Sequence, residues 1–205
     1  MTVRHMLLVG LALVGCMTPG VRAQMSPPEA TKEHKLLQQD VGVWDADMKI
    51  WMQGPDSAPA ESKGVERVRP LGDLWVLATY EGTVGEQQFT GHSQMGYDPL
   101  KQKFVGTWID TVSPHISTME GTCDEATQEL TMIMTSIDPT TNKESKAKSV
   151  SKSLDKDTRV FTMFMETPGT GDGWTKMMEV NYKRRAQEGR KGPPEGRKKE
   201  AKKLD

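Results

Sequence analysis

The stretch EQQFTGHSQMGYDPLKQKFVGTWID, residues 86–110, decides how this chain folds. Two runs with alternating side chains lie at about 86–97 and 103–111, and the turn signal Tyr97-Asp98-Pro99 separates them. Successive side chains of a β-strand point to opposite faces, and aspartate and proline favour tight turns. The stretch therefore predicts two antiparallel strands joined by a short connection.

The same unit recurs along most of the chain. Alternation with a period of two begins at Trp44, and later runs lie at about 61–68, 74–81, 116–123, 129–137, 145–153, 159–166 and 174–184. About ten short strands in succession, without a long helical pattern between them, predict an all-β fold, an antiparallel up-and-down barrel. Large aromatic side chains that occur early in these runs should be buried, namely Trp44, Trp75, Phe104 and Trp108.

A short amphipathic segment precedes the strands. Leu36, Leu37 and Val41 fall on one face at helical spacing, and Gly42 is a stop signal for a helix. The pattern predicts a short helix at 33–41, near one mouth of the barrel.

The N-terminus has the layout of a secretory signal, which we assign to residues 1–23. A basic Arg4 precedes a run of apolar residues that is shorter than the roughly 20 needed to span a bilayer. Two processing sites compete: small residues before Gln24 suit a general signal peptidase, and L-V-G-C, ending at Cys16, resembles a lipobox whose cysteine is lipidated. Either site predicts an exported protein of the periplasm or cell envelope, with or without a lipid anchor.

The remainder divides into a linker, a barrel and a tail. Residues 24–33 contain two prolines and form the linker, 34–184 form the barrel domain, and 185–205 form a basic tail. From Lys183 onward the sequence contains ten Lys and Arg and four Asp and Glu, a net charge of about +6, whereas the whole chain has a net charge of −1. Such a segment cannot bury enough apolar surface to fold, so we expect disorder. Its partner would be an anionic membrane surface, or it serves solubility alone; no nucleic acid is expected.

Five short motifs resemble a known family. They are H-K-L-L-x-x-x-V-G-x-W at 34–44, P-L-G-D-L-W-V at 70–76, F-T-G-H-S-x-M-G-Y-D at 89–98, W-I-D at 108–110 and M-E-G-x-x-D at 119–124. Together they are similar to the bacterial domain-of-unknown-function family 1579, usually grouped with the calycins. The resemblance spans 34–184 and implies a calycin-like barrel, related to lipocalins and fatty-acid-binding proteins and closed by an N-terminal helix. It implies no function.

Candidate residues for an internal site come from the strand patterns. Methionine is frequent in the later strands, where flexible thioethers suit either ordinary core filling or a promiscuous apolar site. Asp110 shares a strand face with Trp108, and desolvation there would make its carboxyl functionally suspect. The candidate lumen residues are His92, Tyr97, Trp108, Asp110, Met119, Glu120, Met132 and Met134.

The function that these residues favour is binding of an apolar or amphipathic small molecule. The sequence contains no catalytic motif and no metal-ligand spacing, and it assigns no cofactor and no oligomeric state. Two alternatives remain open. One is an enzyme that pairs Asp110 with Glu120 or His92, and the other is a structural envelope protein whose barrel is filled by its own side chains.

Overall fold

The computed structural model describes residues 28–138, 140–169 and 171–186. The expected signal with Cys16, the first part of the linker and tail residues 187–205 lie outside the described residues. No helix within the described ranges is long and apolar enough to cross a membrane.

Within the described residues, ten antiparallel strands form a closed barrel that is preceded by one short helix. The elements are α1 (Lys32–Gln38), β1 (Gly42–Ile50), β2 (Ala60–Leu71), β3 (Trp75–Val84), β4 (Gln87–Asp98), β5 (Lys103–Asp110), β6 (Ser117–Asp124), β7 (Glu129–Ile137), β8 (Glu144–Ser153), β9 (Thr158–Glu166) and β10 (Trp174–Arg184). Each strand pairs with its neighbours in sequence, and β1 pairs with β10 to close the sheet. The predicted up-and-down barrel is confirmed.

The helix is shorter than the sequence predicted. It ends at Gln38 rather than at residue 41, because the N–H groups of Gln39, Asp40 and Val41 bond to carbonyls three residues earlier and tighten the chain. Gly42 then begins β1 with φ +151°, where a Cβ atom would lie 2.5 Å from the Arg184 guanidinium. Glycine at this position lets the chain turn directly from the helix into the barrel wall.

The two ends of the barrel differ in their connections. At one end, which we call the closed end, turns 72–74, 99–102, 125–128 and 154–157 are short, and α1 covers the opening. At the opposite, open end, the loops are 51–59, 85–86, 111–116, 138–143 and 167–173, and all but one are longer. The described chain both begins and ends at the closed end, because α1 leads into β1 there and β10 finishes there.

The core consists of two clusters of buried side chains. Leu37 of the helix packs on a buried cluster that comprises Trp44, Val68, Val76, Phe104 and Met132. A second cluster lies along β1 and its neighbours and comprises Ala46, Met48, Ile50, Tyr80 and Val180. Burial of these side chains supplies the main stabilisation of the fold, since apolar burial is its dominant favourable contribution.

A cationic stack holds the closed end together. The Trp44 ring is 2% exposed and lies between two guanidinium groups, 4.6 Å from that of Arg159 and 3.9 Å from that of Arg184. The Trp44 Nε1–H donates to the Asp40 carbonyl at 2.8 Å. Arg159 also pairs with Asp40 at 3.1 Å and with Glu66, so its buried charge is compensated. These contacts link the turn after α1 to strands β1, β2 and β9.

Two of the aromatic burial predictions need correction. Trp75 is 37% exposed, because β3 turns Val76 inward and places Trp75 on the outer face, over Gly96 of β4. A Cβ atom at Gly96 would lie 2.6 Å from the indole, so this glycine allows the ring to lie flat. Trp108 faces inward but is only half-buried. Trp44 and Phe104 are buried as predicted.

Candidate functional site

Strand register identifies the inner face of the barrel, whose enclosed space we call the lumen. Directly opposed residues on neighbouring strands share a face. The inner face can therefore be followed around the whole sheet from the buried residues of β1, which are Trp44, Ala46, Met48 and Ile50. By this register the lumen-facing members of the sequence-predicted set are Tyr97, Trp108, Asp110, Met119, Met132 and Met134.

His92 and Glu120 lie on the outer face, which corrects the expectation that they line the lumen. His92 is exposed and opposes Thr79, whose hydroxyl is 3.0 Å from the imidazole Nδ1. Glu120 binds Lys101 at 2.6 Å and Lys103 at 3.3 Å, and these bonds lower the pKa of its carboxyl. Asp110 faces inward, so it cannot converge with either residue as an acid–base pair.

Several of the inward candidates belong to the closed end and are structural. Tyr97 packs edge-on against His34 and Phe104, with ring centroids 5.8 and 5.2 Å away. His34 is buried, and its Nδ1 accepts the Thr31 backbone N–H at 3.1 Å, which caps the start of α1. Met119 and Met132 pack within the same closed-end cluster. The open half of the lumen therefore retains Trp108, Asp110 and Met134 from the predicted set.

Asp110 positions the indole of Trp108 at the open rim. One carboxylate oxygen accepts the Trp108 Nε1–H at 2.8 Å, and the other accepts the backbone N–H groups of Val112 and Ser113, both at 2.9 Å. The indole lies over Gly91 and stacks on Phe89, with ring centroids 6.4 Å apart. The carboxylate thus orders the loop between β5 and β6 and fixes one aromatic wall of the mouth.

The opposite wall contains side chains that the sequence-based set omitted. Phe161, Met163 and Met165 of β9 face inward, as does Met178 of β10, and all are only partly buried. Their strand also places Phe164 on the outer face, so apolar alternation alone could not identify the inner side. The pairing of β9 with the small residues of β8 is the signal that could have identified the inward-facing side chains of β9.

Strand β8 presents a row of small side chains to the lumen. Ser145, Ala147, Ser149 and Ser151 face inward, and the intervening lysines face outward. Ser145 opposes Ser136 of β7, with 3.1 Å between the hydroxyl oxygens. Serine and alanine occupy little volume, so the wall recedes here and offers hydroxyl groups beside the thioethers of β9.

Two pockets also lie beside helix α1. One pocket, of about 490 Å³, lies between α1, the start of β5, the end of β6 and the turn that leads into β7. Leu36, Phe104 and Cys123 form its apolar part. Burial raises the pKa of the Cys123 thiol, so this residue is a weak nucleophile. The other, of about 280 Å³, lies beside His34, Trp75 and Tyr97. Among the residues with described positions, no group of His, Cys, Asp or Glu could hold a metal ion.

Comparison with solved structures shows the same fold. The S-type phycobiliprotein lyase CPES from Guillardia theta aligns with a TM-score of 0.50 and 12% identity, over 74% of this chain and 92% of the lyase. Rv2717c from M. tuberculosis aligns with a TM-score of 0.57 and 11% identity, over 77% of this chain and 100% of that protein. Comparison with curated proteins found no match.

The sequence itself places the chain in a family. The model of the family described as protein of unknown function (DUF1579) matches residues 29–184, which spans the helix and all ten strands. The resemblance of the five motifs is confirmed, and their positions fall in or beside α1 and strands β1 to β6. The chain belongs to the DUF1579 family of proteins of unknown function.

Proposed function

We propose that the protein binds an apolar or amphipathic small molecule in the open half of its barrel. The observation that carries this proposal is that Trp108, Phe161, Met163 and Met165 point into the barrel and yet remain partly accessible to solvent. An apolar occupant would remove this concave apolar surface from water, which is favourable.

The two walls suit a ligand with mixed character. Thioethers on β9 and β10 can repack around occupants of different shape, because methionine has a flexible, polarisable side chain. The hydroxyls of β8 face the same space and can satisfy polar atoms along one edge of the ligand. This combination favours an amphipathic molecule over a purely aliphatic one.

The neighbour named as a phycobiliprotein lyase raises the alternative of catalysis in a barrel of this fold. In this chain the proposed acid–base residues do not support it. The Asp110 carboxylate is held by an indole and two backbone N–H groups, whereas His92 and Glu120 lie outside the barrel. Binding is therefore the function that the arranged groups favour.

The proposal is tested by blocking the lumen from one strand of its wall. Ala147→Trp places an indole on the inner face between Met134 and Met165, and Lys146→Trp places the same group on the outer face of the same strand. Titration with Nile red, a neutral dye that brightens in apolar surroundings, measures the dissociation constant of each variant. We expect Lys146→Trp to bind like the unchanged protein and Ala147→Trp to bind at least about tenfold more weakly, since the indole occupies the site.

A second pair of variants covers the case in which Ala147→Trp does not fold. Met134→Gln adds an amide to the inner face at nearly constant volume, and Ile133→Gln adds one to the outer face of the same strand. The inner substitution should weaken dye binding and the outer one should not. Equal binding by both members of each pair would place the dye outside the barrel. Absence of dye binding by the unchanged protein would favour the filled, structural barrel.

We further propose that the chain is exported and sits at the cell envelope. The sequence of residues 1–23 supports this, and both described termini lie at the closed end. A lipid on Cys16 and the basic residues beyond 185 would then act together on one membrane surface. One acyl anchor and a basic segment is a combination that gives firm attachment to anionic membranes.

Two measurements separate the forms of this second proposal. The intact mass of the protein from its native host shows whether the chain begins at a lipidated Cys16 or at Gln24. Co-sedimentation with anionic vesicles at low salt, with and without residues 186–205, tests the basic segment. Equal sedimentation of both forms would leave that segment a role in solubility only.

A further inference from the structure

Two neighbouring hydroxyl groups inside the barrel have no hydrogen-bond partner among the described residues other than each other. They belong to Tyr80 of β3, which is 4% exposed, and Ser62 of β2. Both oxygens are shielded from solvent, the Ser62 hydroxyl lies within hydrogen-bonding reach of the phenol, and neither oxygen has a partner among the described residues outside this pair. A hydrogen bond between the two hydroxyls uses only one of their two O–H donors. Buried polar groups are nearly always paired, so the remaining donor indicates a place where a ligand atom can bind.

The barrel wall is shaped to hold the phenol in this position. Tyr80 opposes Glu66 on β2, and its ring extends along the wall over Gly64 and Gly82, which oppose each other two residues nearer the open end. A Cβ atom at Gly64 would collide with the phenol oxygen, and one at Gly82 would lie 2.8 Å from it. Ser62 follows two residues beyond Gly64 in the same direction. The two hydroxyls therefore share the inner face of β2 and β3, with Ser62 nearer the open end.

The surroundings keep the phenol a donor. Burial raises the pKa of Tyr80, and this effect outweighs the hydrogen bond with the Ser62 hydroxyl, which opposes the rise. A protonated phenol can donate one hydrogen bond to an acceptor atom, and the serine hydroxyl can donate or accept a second one.

The charges on the inner face disfavour an anionic ligand. In the described strands these charges are Glu66, Arg159 and Arg184 near the closed end and Asp110 at the open rim. Arg159 is committed to Glu66 and Asp40, and Arg184 donates to the carbonyls of residues 39 and 41. A carboxylate entering the lumen would pass Asp110 and find no uncommitted cation, and burial of an unpaired charge is costly.

From this geometry we propose that Tyr80 and Ser62 form the polar anchor of the lumen, and that its ligand has an uncharged, hydrogen-bond-accepting end. The chemical class is a neutral amphipath, such as a long-chain alcohol or ketone, whose apolar body lies against the thioethers of β9 and β10. This inference rests on the proposed binding function and specifies its ligand class.

The test compares two probes of equal chain length on three proteins. 1-Decanol and decanoate, at pH 8 where the acid is ionised, compete for the bound dye. Each inhibition constant is corrected for the dye affinity of the variant used. The proteins are the unchanged chain, Tyr80→Phe, and the control Tyr97→Phe, which removes a phenol hydroxyl at the closed end. A calorimetric melting temperature is measured for each protein.

We expect the unchanged chain to bind decanol at least about tenfold more tightly than decanoate. Tyr80→Phe should reduce that ratio about fivefold or more, because one directed hydrogen bond is lost. Tyr97→Phe should leave the ratio unchanged. Tyr80→Phe should change the melting temperature little, since the hydroxyl that it removes has no partner among the described residues other than Ser62. Ser62→Ala should act in the same direction as Tyr80→Phe with a smaller effect.

Other outcomes overturn the inference and are separable from failure of the binding proposal. Tighter binding of decanoate, or an unchanged ratio in Tyr80→Phe, would show that the hydroxyl does not select the ligand even though the lumen binds one. A melting temperature lowered by several degrees in Tyr80→Phe would assign the hydroxyl a structural role, for example through an internal water. Dye binding that is absent, or insensitive to Ala147→Trp, would overturn the binding proposal itself.

Discussion

The closed and open halves of this barrel are built from the same ten strands and differ in what their inner faces do. At the closed end the helix, a tryptophan between two arginines and short turns leave the inner side chains buried and their charges paired. At the open end longer loops surround inner-face methionines and aromatics that stay partly accessible. One half is organised for stability, and the other retains accessible apolar surface, which is a usual property of a binding site.

The largest difference should appear when a tryptophan is removed from each half. Trp44→Ala deletes a side chain that is 2% exposed and stacked on both sides, so we expect a loss of about 3–5 kcal/mol in the free energy of unfolding. Trp108→Ala deletes a half-buried ring at the open rim, and we expect about 1–2 kcal/mol, as its cavity is open to water. Urea denaturation at one pH measures both, and equal losses would contradict the division into halves.

Removal of the buried charge of Arg159 should have the second-largest effect on the free energy of unfolding. Arg159→Met leaves Glu66 without its partner in surroundings where the Arg159 and Glu66 side chains are 9% and 14% exposed. We expect a loss of about 2–4 kcal/mol, because an uncompensated buried charge remains. The double variant Arg159→Met with Glu66→Gln removes that charge and should recover part of the loss. If the double variant is less stable than the single one, the cluster stabilises through packing rather than charge compensation.

Much of this architecture could be predicted from sequence because turns and alternation are local signals. The run expected at 86–97 became Gln87–Asp98, and that at 174–184 matched β10. The inner and outer faces of a strand could not be assigned from the sequence where both faces have large side chains, as in β5, or where neither face has them. The segment around His92 has glycine and serine on either side, so no apolar neighbour reveals its direction.

The polar anchor could not be predicted because it depends on register between strands. Gly64 and Gly82 look like ordinary interruptions in two separate strands, and Tyr80 looks like an ordinary core aromatic. Only the pairing of β2 with β3 places both glycines beneath one phenol. The exclusion of Glu120 has a similar origin, because its lysine partners become neighbours only when β5 and β6 pair.

A smaller effect should distinguish the glycines of the two halves. The nearest atom to a Cβ at Gly121, near the closed end, would be the Thr131 backbone carbonyl oxygen, whereas the three nearest atoms to a Cβ at Gly91, near the mouth, would belong to the Trp108 ring. Backbone cannot move aside as a side chain can, so Gly121→Ala should cost about 1–3 kcal/mol and Gly91→Ala less than about 1 kcal/mol. Gly91→Ala should nevertheless change the near-ultraviolet circular dichroism of the indoles. An unchanged spectrum would mean that Trp108 does not lie over Gly91.

The smallest effects should come from aspartates that cap turns at the two ends. Backbone N–H bonds, chiefly from Thr127 to Asp124 at the closed end and from Thr141 to Asp138 at the open end, lower the pKa of each carboxyl. A lowered folded-state pKa contributes stability that is fully present above the unfolded value of 3.8 and is lost as pH falls through the folded value.

Asp124→Asn and Asp138→Asn should therefore lower the urea midpoint slightly at pH 7 and have less effect as the pH falls below 3.8, because the stability that each lowered carboxyl pKa contributes is then being lost. Both carboxylates are exposed, so solvent keeps each effect small. Ligand binding tests the comparison of the two halves. A bound neutral amphipath should alter the effect of Asp138→Asn, because residue 138 lies in a loop of the mouth. It should leave the effect of Asp124→Asn unchanged. Equal ligand sensitivity of the two variants would show that occupancy is felt throughout the barrel rather than in its open half.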